Sequence, residues 1–226
     1  SAASDVYKRQ TAGAATLKLT FTSPLLMNNL SLMCRPVGYI HYEIDFNDNQ
    51  EHSAEIDFSL SPRWCLNYPG QPFITQERQT SRGMTVLTAG SQDQKILGKK
   101  GDDVRIDWGY LYLTSSDPDS RLFIDNSQNL CYQHTMKKQQ EGTAIIGYDD
   151  IYSIEYFHTP TKGFWTHEGD IDEILYLASR QEKEIYDQCA TFDQRLLKQA
   201  TKTGGQEYAE LCSMVYRQVI AAHKLI

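Results

Sequence analysis

Between Leu17 and Phe157, apolar and polar residues alternate with a period of two, as in strands with one buried face. Leu17, Leu19 and Phe21 interleave with Lys18, Thr20 and Thr22, and Ile56, Phe58 and Leu60 interleave with Glu55, Asp57 and Ser59. Val37 to Phe46 is dense in β-branched and aromatic residues, which suit a pleated surface. Met84 to Ala89, Val104 to Leu113, Arg121 to Ile124, Thr143 to Gly147 and Ile151 to Phe157 complete the predicted strands. Turn-forming clusters separate several of them: Asn47-Asp48-Asn49, Ser115 to Asp119, and Asp125-Asn126-Ser127. Successive short strands with no helical period between them predict an antiparallel β-sandwich or barrel. Pro and polar residues between Ser61 and Arg82 predict a long loop over one edge.

The period changes after Thr159-Pro160-Thr161-Lys162-Gly163. Pro160 disfavours helix at Thr159, and Gly163 permits a turn. Ile171, Ile174, Leu175, Ala178, Ile185, Cys189, Phe192 and Leu196 then follow helical spacing, which predicts a helix running to about Lys202. Asp170, Asp172 and Glu173 fall in its first turn, where the helix dipole favours acids. Gly204-Gly205 ends it, and a second helix starts near Gln206. Its stripe of Leu211, Met214, Val215, Val219, Ala222 and Leu225 reaches the last residues without a capping glycine, so the hairpin reads as unfinished. The fold class expected is therefore mainly β with C-terminal α. Ser1–Gln10, SAASDVYKRQ, reads as a non-native, adapter-like segment and is left out of the expected fold. The expected units are residues 1–10 as that segment, 11–160 as the β-sandwich and 161–226 as the hairpin.

Composition removes several function classes. The 226 residues are 40% hydrophobic and 23% charged, the values of a globular chain. The net charge of -7 argues against nucleic-acid binding, which needs clustered Lys and Arg; Lys99-Lys100 is followed at once by Asp102 and Asp103. No run approaches the ~18 apolar residues of a membrane span. Cys34, Cys65, Cys131, Cys189 and Cys212 have no zinc-binding spacing and read as buried thiols.

Motifs that carry chemistry are sparse. Gly98-Lys99-Lys100-Gly101 lacks the upstream glycine and the trailing Ser or Thr of a phosphate-binding loop, so it reads as a tight turn. No G-x-S-x-G nucleophile elbow occurs. Asp102, Asp103 and Asp107 form the densest acidic cluster. Asp107 is expected inside the strand RIDWGYLYL, beside Trp108, where a carboxyl can act as acid or base. The competing reading has these acids hold loop amides or pair with Lys99, Lys100 or Arg105. His41 and Glu43 share one strand face, but two residues do not make a metal site, and neither a metal nor a cofactor is expected. His158 and His167 flank the break. His223, near the second helix end, faces solvent or a further domain.

Four stretches resemble the glutaminase A family of bacterial and fungal proteins, and they occur in that family's order. They are Leu19 to Ile44, Ile96 to Leu113 (ILGKKGDDVRIDWGYLYL), Ile146 to Phe157 (IGYDDIYSIEYF) and Thr203 to Leu225. The resemblance implies an N-terminal β-sandwich followed by six helical hairpins forming an (α/α)6 barrel, of which this chain holds only the first hairpin. It implies hydrolysis of L-glutamine to L-glutamate and ammonia in the intact protein. It also implies a small-molecule substrate, an intramolecular helical partner, and a periplasmic or secreted setting with the export segment upstream. Catalytic positions are not carried over. Asp102, Asp103, Asp107 and His223 stand as binding candidates. Two alternatives remain: a glycoside hydrolase-like protein of the same architecture, with Trp64, Trp108 and Trp165 as stacking residues, and a plain binding module contacting partners through the loop Ser61 to Arg82.

Overall fold

The computed structural model describes residues 5–48, 50–99, 106–137 and 140–226, with backbone alone for 5–10 and 12. Twelve strands are described: β1 Asp5–Ala12, β2 Ala15–Thr22, β3 Val37–Phe46, β4 Ser53–Leu60, β5 Phe73–Gln79, β6 Thr85–Ser91, β7 Tyr110–Ser115, β8 Arg121–Ile124, β9 Leu130–Lys137, β10 Gln140–Asp149, β11 Ile154–Tyr156 and β12 Thr159–Thr161. The helices are α1 Leu30–Cys34, α2 Ile171–Arg180 and α3 Glu182–Ala221. The large sheet has the order β1-β2-β3-β10-β7-β6-β5, and every pairing in it is antiparallel. A smaller sheet, β4-β9-β8, lies over one of its faces. The helices lie over the other. The protein is thus mainly antiparallel β with C-terminal helices.

Two apolar cores sit on opposite faces of the large sheet. Between the sheets pack Tyr42, Ile44, Leu60, Leu87, Leu111, Leu113, Leu130, Tyr132 and Met136. On the helical side pack Val37, Tyr39, Val86, Tyr112 and Ile145 with Trp165, Ile174, Leu175, Ala178, Ile185 and Cys189. Strand β3 feeds both: Val37 and Tyr39 point to the helices, while Tyr42 and Ile44 point between the sheets. A strand covered on both faces needs a near-continuous apolar run, which is why VGYIHYEIDF alternates so weakly. The inter-sheet core also holds a polar chain. Tyr42 Oη lies 2.7 Å from Tyr132 Oη and 2.5 Å from His134 Nδ1, and Asp117 Oδ2 accepts from Tyr132 Oη at 3.0 Å and Thr143 N at 2.6 Å. Buried hydroxyls and imidazole are tolerated because each has a partner.

Several sequence expectations need correction. Asp5–Gln10, left out of the expected fold, belongs to β1, which pairs with β2 along its whole length. The stretch Ser61 to Arg82 is not one long loop: it contains a 3-10 turn, Pro62–Cys65, and the edge strand β5. Strand β9 lies outside the predicted set. Its inward set, Leu130, Tyr132, His134 and Met136, includes two polar-tipped rings that blur the period of two. The break at Thr159 carries the short strand β12, paired with β11.

The expected first helix is divided at Gln181 into α2 and the start of α3. Asp170 caps α2, its carboxylate accepting from Glu173 N at 2.9 Å, and Asp172 and Glu173 occupy the first turn as the sequence predicts. Helix α3 reverses at Gly205, whose φ of 82° and ψ of -173° are non-helical, leaving arms 182–204 and 206–221. The positive φ is open to glycine without strain. The Phe192 and Tyr216 rings, one from each arm, meet at 5.2 Å. Beside them a cleft of about 390 Å³ separates Leu196 from Leu211, Cys212 and Val215.

Candidate functional site

The most specific stretch of the sequence, Ile96 to Leu113, is described except for 100–105, and its ends are pinned from several directions. Gln94 brackets Gly109: its Oε1 accepts from Gly109 N at 2.5 Å, and its Nε2 donates to Gly109 O at 3.2 Å and Ser91 O at 2.8 Å. Gly109 has φ 86°, and a Cβ there would lie 2.1 Å from Asp149 O. Only glycine lets the two backbones approach so closely. Trp108 is buried. Its Nε1 donates to Tyr152 O at 3.0 Å, and Tyr148 Oη donates to Trp108 O at 2.6 Å.

This geometry moves Asp107 out of the strand in which the sequence places it. Strand β7 begins at Tyr110, because the turn at Trp108-Gly109 interrupts extended pairing. Asp107 is buried, and its Oδ2 accepts from Gln71 Nε2 at 2.9 Å. Lys99 Nζ stands 3.2 Å from the same oxygen, off the hydrogen-bond direction. Gln71 continues the network to Ser91 Oγ at 3.2 Å and accepts from Asn67 N at 2.7 Å. Among the described residues, Asp107 Oδ1 and Lys99 Nζ are buried without a directed hydrogen bond. Opposite charges this close offset part of each other's desolvation, and removing either leaves the other uncompensated. The arrangement joins residues 67–71 to the stretch before β7, in keeping with the loop-holding reading of the acid. Asp102 and Asp103 lie outside the described residues.

The remaining candidates do not converge on Asp107. His223 is exposed just beyond the end of α3, with Nδ1 2.6 Å from Val219 O in that helix's last turn. Its neighbour Lys224 pairs with Asp150, a buried carboxylate that also accepts from Ser153 Oγ at 3.2 Å. Burial pushes the adjacent Asp149 carboxyl up from 3.8, and the Asp150 charge adds to this. The Ile151 amide, Lys162 and Lys224 oppose it. His41 Nε2 lies 3.7 Å from both Glu43 Oε1 and Glu141 Oε2, while its Nδ1 is 2.9 Å from Thr143 Oγ1. Among the described residues no group of three or more His, Cys, Asp or Glu is arranged to hold a metal ion. Trp108 and Trp165 are core residues at 4% and 3% exposure, so of the three tryptophans only Trp64, at 70%, offers a free ring.

Sequence reasoning missed the polar seam between the large sheet and the helices, because its partners lie up to 146 positions apart. Arg35, nearly buried, donates from Nε to Glu168 at 2.8 Å and from Nη1 to Gln181 at 2.7 Å. Arg78 forks onto the Asp172 carboxylate at 2.6 and 2.5 Å. Arg82 pairs with Glu173 and lies 4.7 Å over the Tyr176 ring. Ser116 and Thr143 donate to the two oxygens of Glu182 at 2.7 and 2.5 Å. Bidentate guanidinium pairs fix angle as well as distance. Two cavities of about 240 and 300 Å³ lie along the seam and share Glu184 and Gln188.

Fold and seam together define a class: a two-sheet β domain whose larger sheet carries a helical hairpin on its outer face. Residues 5–140, more than half of the chain, match a family described as a domain of unknown function, DUF5127, and the chain belongs to that family. No curated protein matches the chain. No helix among the described residues is long and apolar enough to cross a membrane.

Proposed function

We propose that this chain is the supporting part of a glutaminase-like amidohydrolase, holding the first hairpin of an (α/α)6 barrel that carries the chemistry. The observation behind this reading is the apolar surface left open on the second arm of α3. Leu211 is 50% exposed, Met214 53% and Val219 51%, whereas Ile185 and Cys189 on the first arm are 1% exposed. An amphipathic helix with an open apolar stripe is built to pack against something further. Further helical hairpins of the same protein are the occupant in this reading, and the activity is the one implied by the resemblance of the four stretches to glutaminase A. The β domain, residues 11–160, then acts as a platform. Its arginines fix the angle at which residues 161–226 leave the sheet, and through them the start of the barrel. The reaction is attack of water on the glutamine side-chain amide, releasing ammonia, in a periplasmic or secreted setting.

The test is ammonia release from L-glutamine by an intact gene product carrying the following hairpins, beside the present chain. Turnover by the intact protein and none by the 226-residue chain is the expected result. An intact protein that leaves L-glutamine untouched while cleaving oligosaccharides would replace this reading with a glycoside hydrolase.

A further inference from the structure

We propose that the outer face of β5, β6 and β7 is a binding site for one ring of a neutral saccharide. Register brings the site together from residues far apart in sequence. Gln76, Thr88 and Tyr112 form one row across the three strands, and Ile74, Gly90 and Tyr110 form the next. Arg78 completes the lining of a cavity of about 210 Å³.

The chemistry of the lining selects the ligand class. Gly90 leaves a bare patch in the second row, and the Tyr110 ring rests on it; a Cβ there would lie 2.6 Å from Tyr110 Cδ1. The C–H face of a pyranose packs well on such an aromatic surface. Thr88 Oγ1 is buried and, among the described residues, has no hydrogen-bond partner. A buried hydroxyl without a partner is a standing cost that a ligand hydroxyl would remove. Burial pushes the Tyr112 phenol up, so it remains an O–H donor across the ordinary pH range. Gln76 is exposed on the rim and offers an amide that both donates and accepts. The one charge in the lining, Arg78, is already neutralised by Asp172, while guanidinium N–H groups beyond the two in that fork remain to donate. An anionic ligand would compete with Asp172 and a cationic one would meet Arg78. A neutral polyol meets neither obstacle. Small concave sites with an aromatic surface and a few fixed polar groups are the usual form of such pockets.

This site is separate from the open face of α3, and its test does not depend on glutamine turnover. The chain is titrated by calorimetry with maltotriose, cellotriose and xylotriose, with L-glutamine as a fourth ligand. At least one trisaccharide is expected to bind. Thr88→Val should weaken it about tenfold without lowering the thermal midpoint, because the variant loses a hydroxyl that bonds to nothing. Tyr110→Ala should abolish binding. Should Tyr110→Ala prove unstable, Thr88→Val alone decides. The proposal is overturned if no trisaccharide binds at millimolar concentration, if only L-glutamine binds, or if Thr88→Val binds like the parent.

Discussion

The two arms of α3 belong to one run of sequence and meet the rest of the molecule in different ways. The first arm presses Ile185 and Cys189 into the core above the large sheet, beside Tyr39, Ile174 and Leu175. The second arm touches the β domain through few groups. Tyr216 Oη donates to Leu25 O at 2.7 Å and accepts from Met27 N at 3.3 Å, while Lys224 reaches Asp150. Most of its apolar stripe stays in solvent. Both arms are amphipathic, so amphipathicity alone does not tell which stripe finds a partner. The difference is geometric: Gly205 turns the second arm back along the first, where Tyr216 packs against the core above the sheet while Leu211, Met214 and Val219 stay about half exposed.

Matched truncations would break or sharpen this contrast. Ile185→Ala should cost about 3 kcal/mol of unfolding free energy, the usual price of a cavity in a closed core, read by urea denaturation. A loss below about 1 kcal/mol would mean the first arm is not docked as described. Tyr216→Phe should cost about 1 kcal/mol, since it strips two backbone groups of their hydrogen-bond partner. Leu211→Ala, in the present chain, should change stability by less than about 0.5 kcal/mol, as expected for a half-exposed side chain. A cost near that of Ile185→Ala would show that the stripe is already covered in solution.

A last prediction appears as a shape rather than a size. Burial holds the Asp149 carboxyl above its ordinary 3.8 in the folded state. The folded protein therefore keeps this proton to higher pH than the unfolded chain does. Its contribution to stability is full below 3.8 and is lost as pH rises to the folded value. Asp149→Asn retains an oxygen for the Ile151 amide and should flatten the stability–pH curve in that window. An unchanged curve would exclude Asp149 as its source.

How much of this was legible in the sequence varied with the kind of interaction. Strand β4 stands out because its inward Ala54, Ile56, Phe58 and Leu60 alternate with polar residues, and period two is a local signal. Strand β5, FITQERQ, is an edge with a polar face, and β9 turns Tyr132 and His134 inward, so neither carries that signal. The helical reversal at Gly205 was readable because glycine has a local conformational meaning. The interruption at Gln181 was not, since no glycine or proline marks it. Of the candidate residues, Asp107 proved buried, yet its partners Gln71 and Lys99 come from separate segments. The groove on β5, β6 and β7 depends wholly on register and could not be read residue by residue.

Near the end of the second arm, Phe164 N donates to Leu225 O at 3.0 Å. The helical excursion therefore returns to the place where it left the sandwich. In mechanical terms it is a closed bight with both ends made fast at one cleat. Tension on the last residues is met at the rim, by that hydrogen bond and the Lys224–Asp150 pair, before any reaches the packed helices.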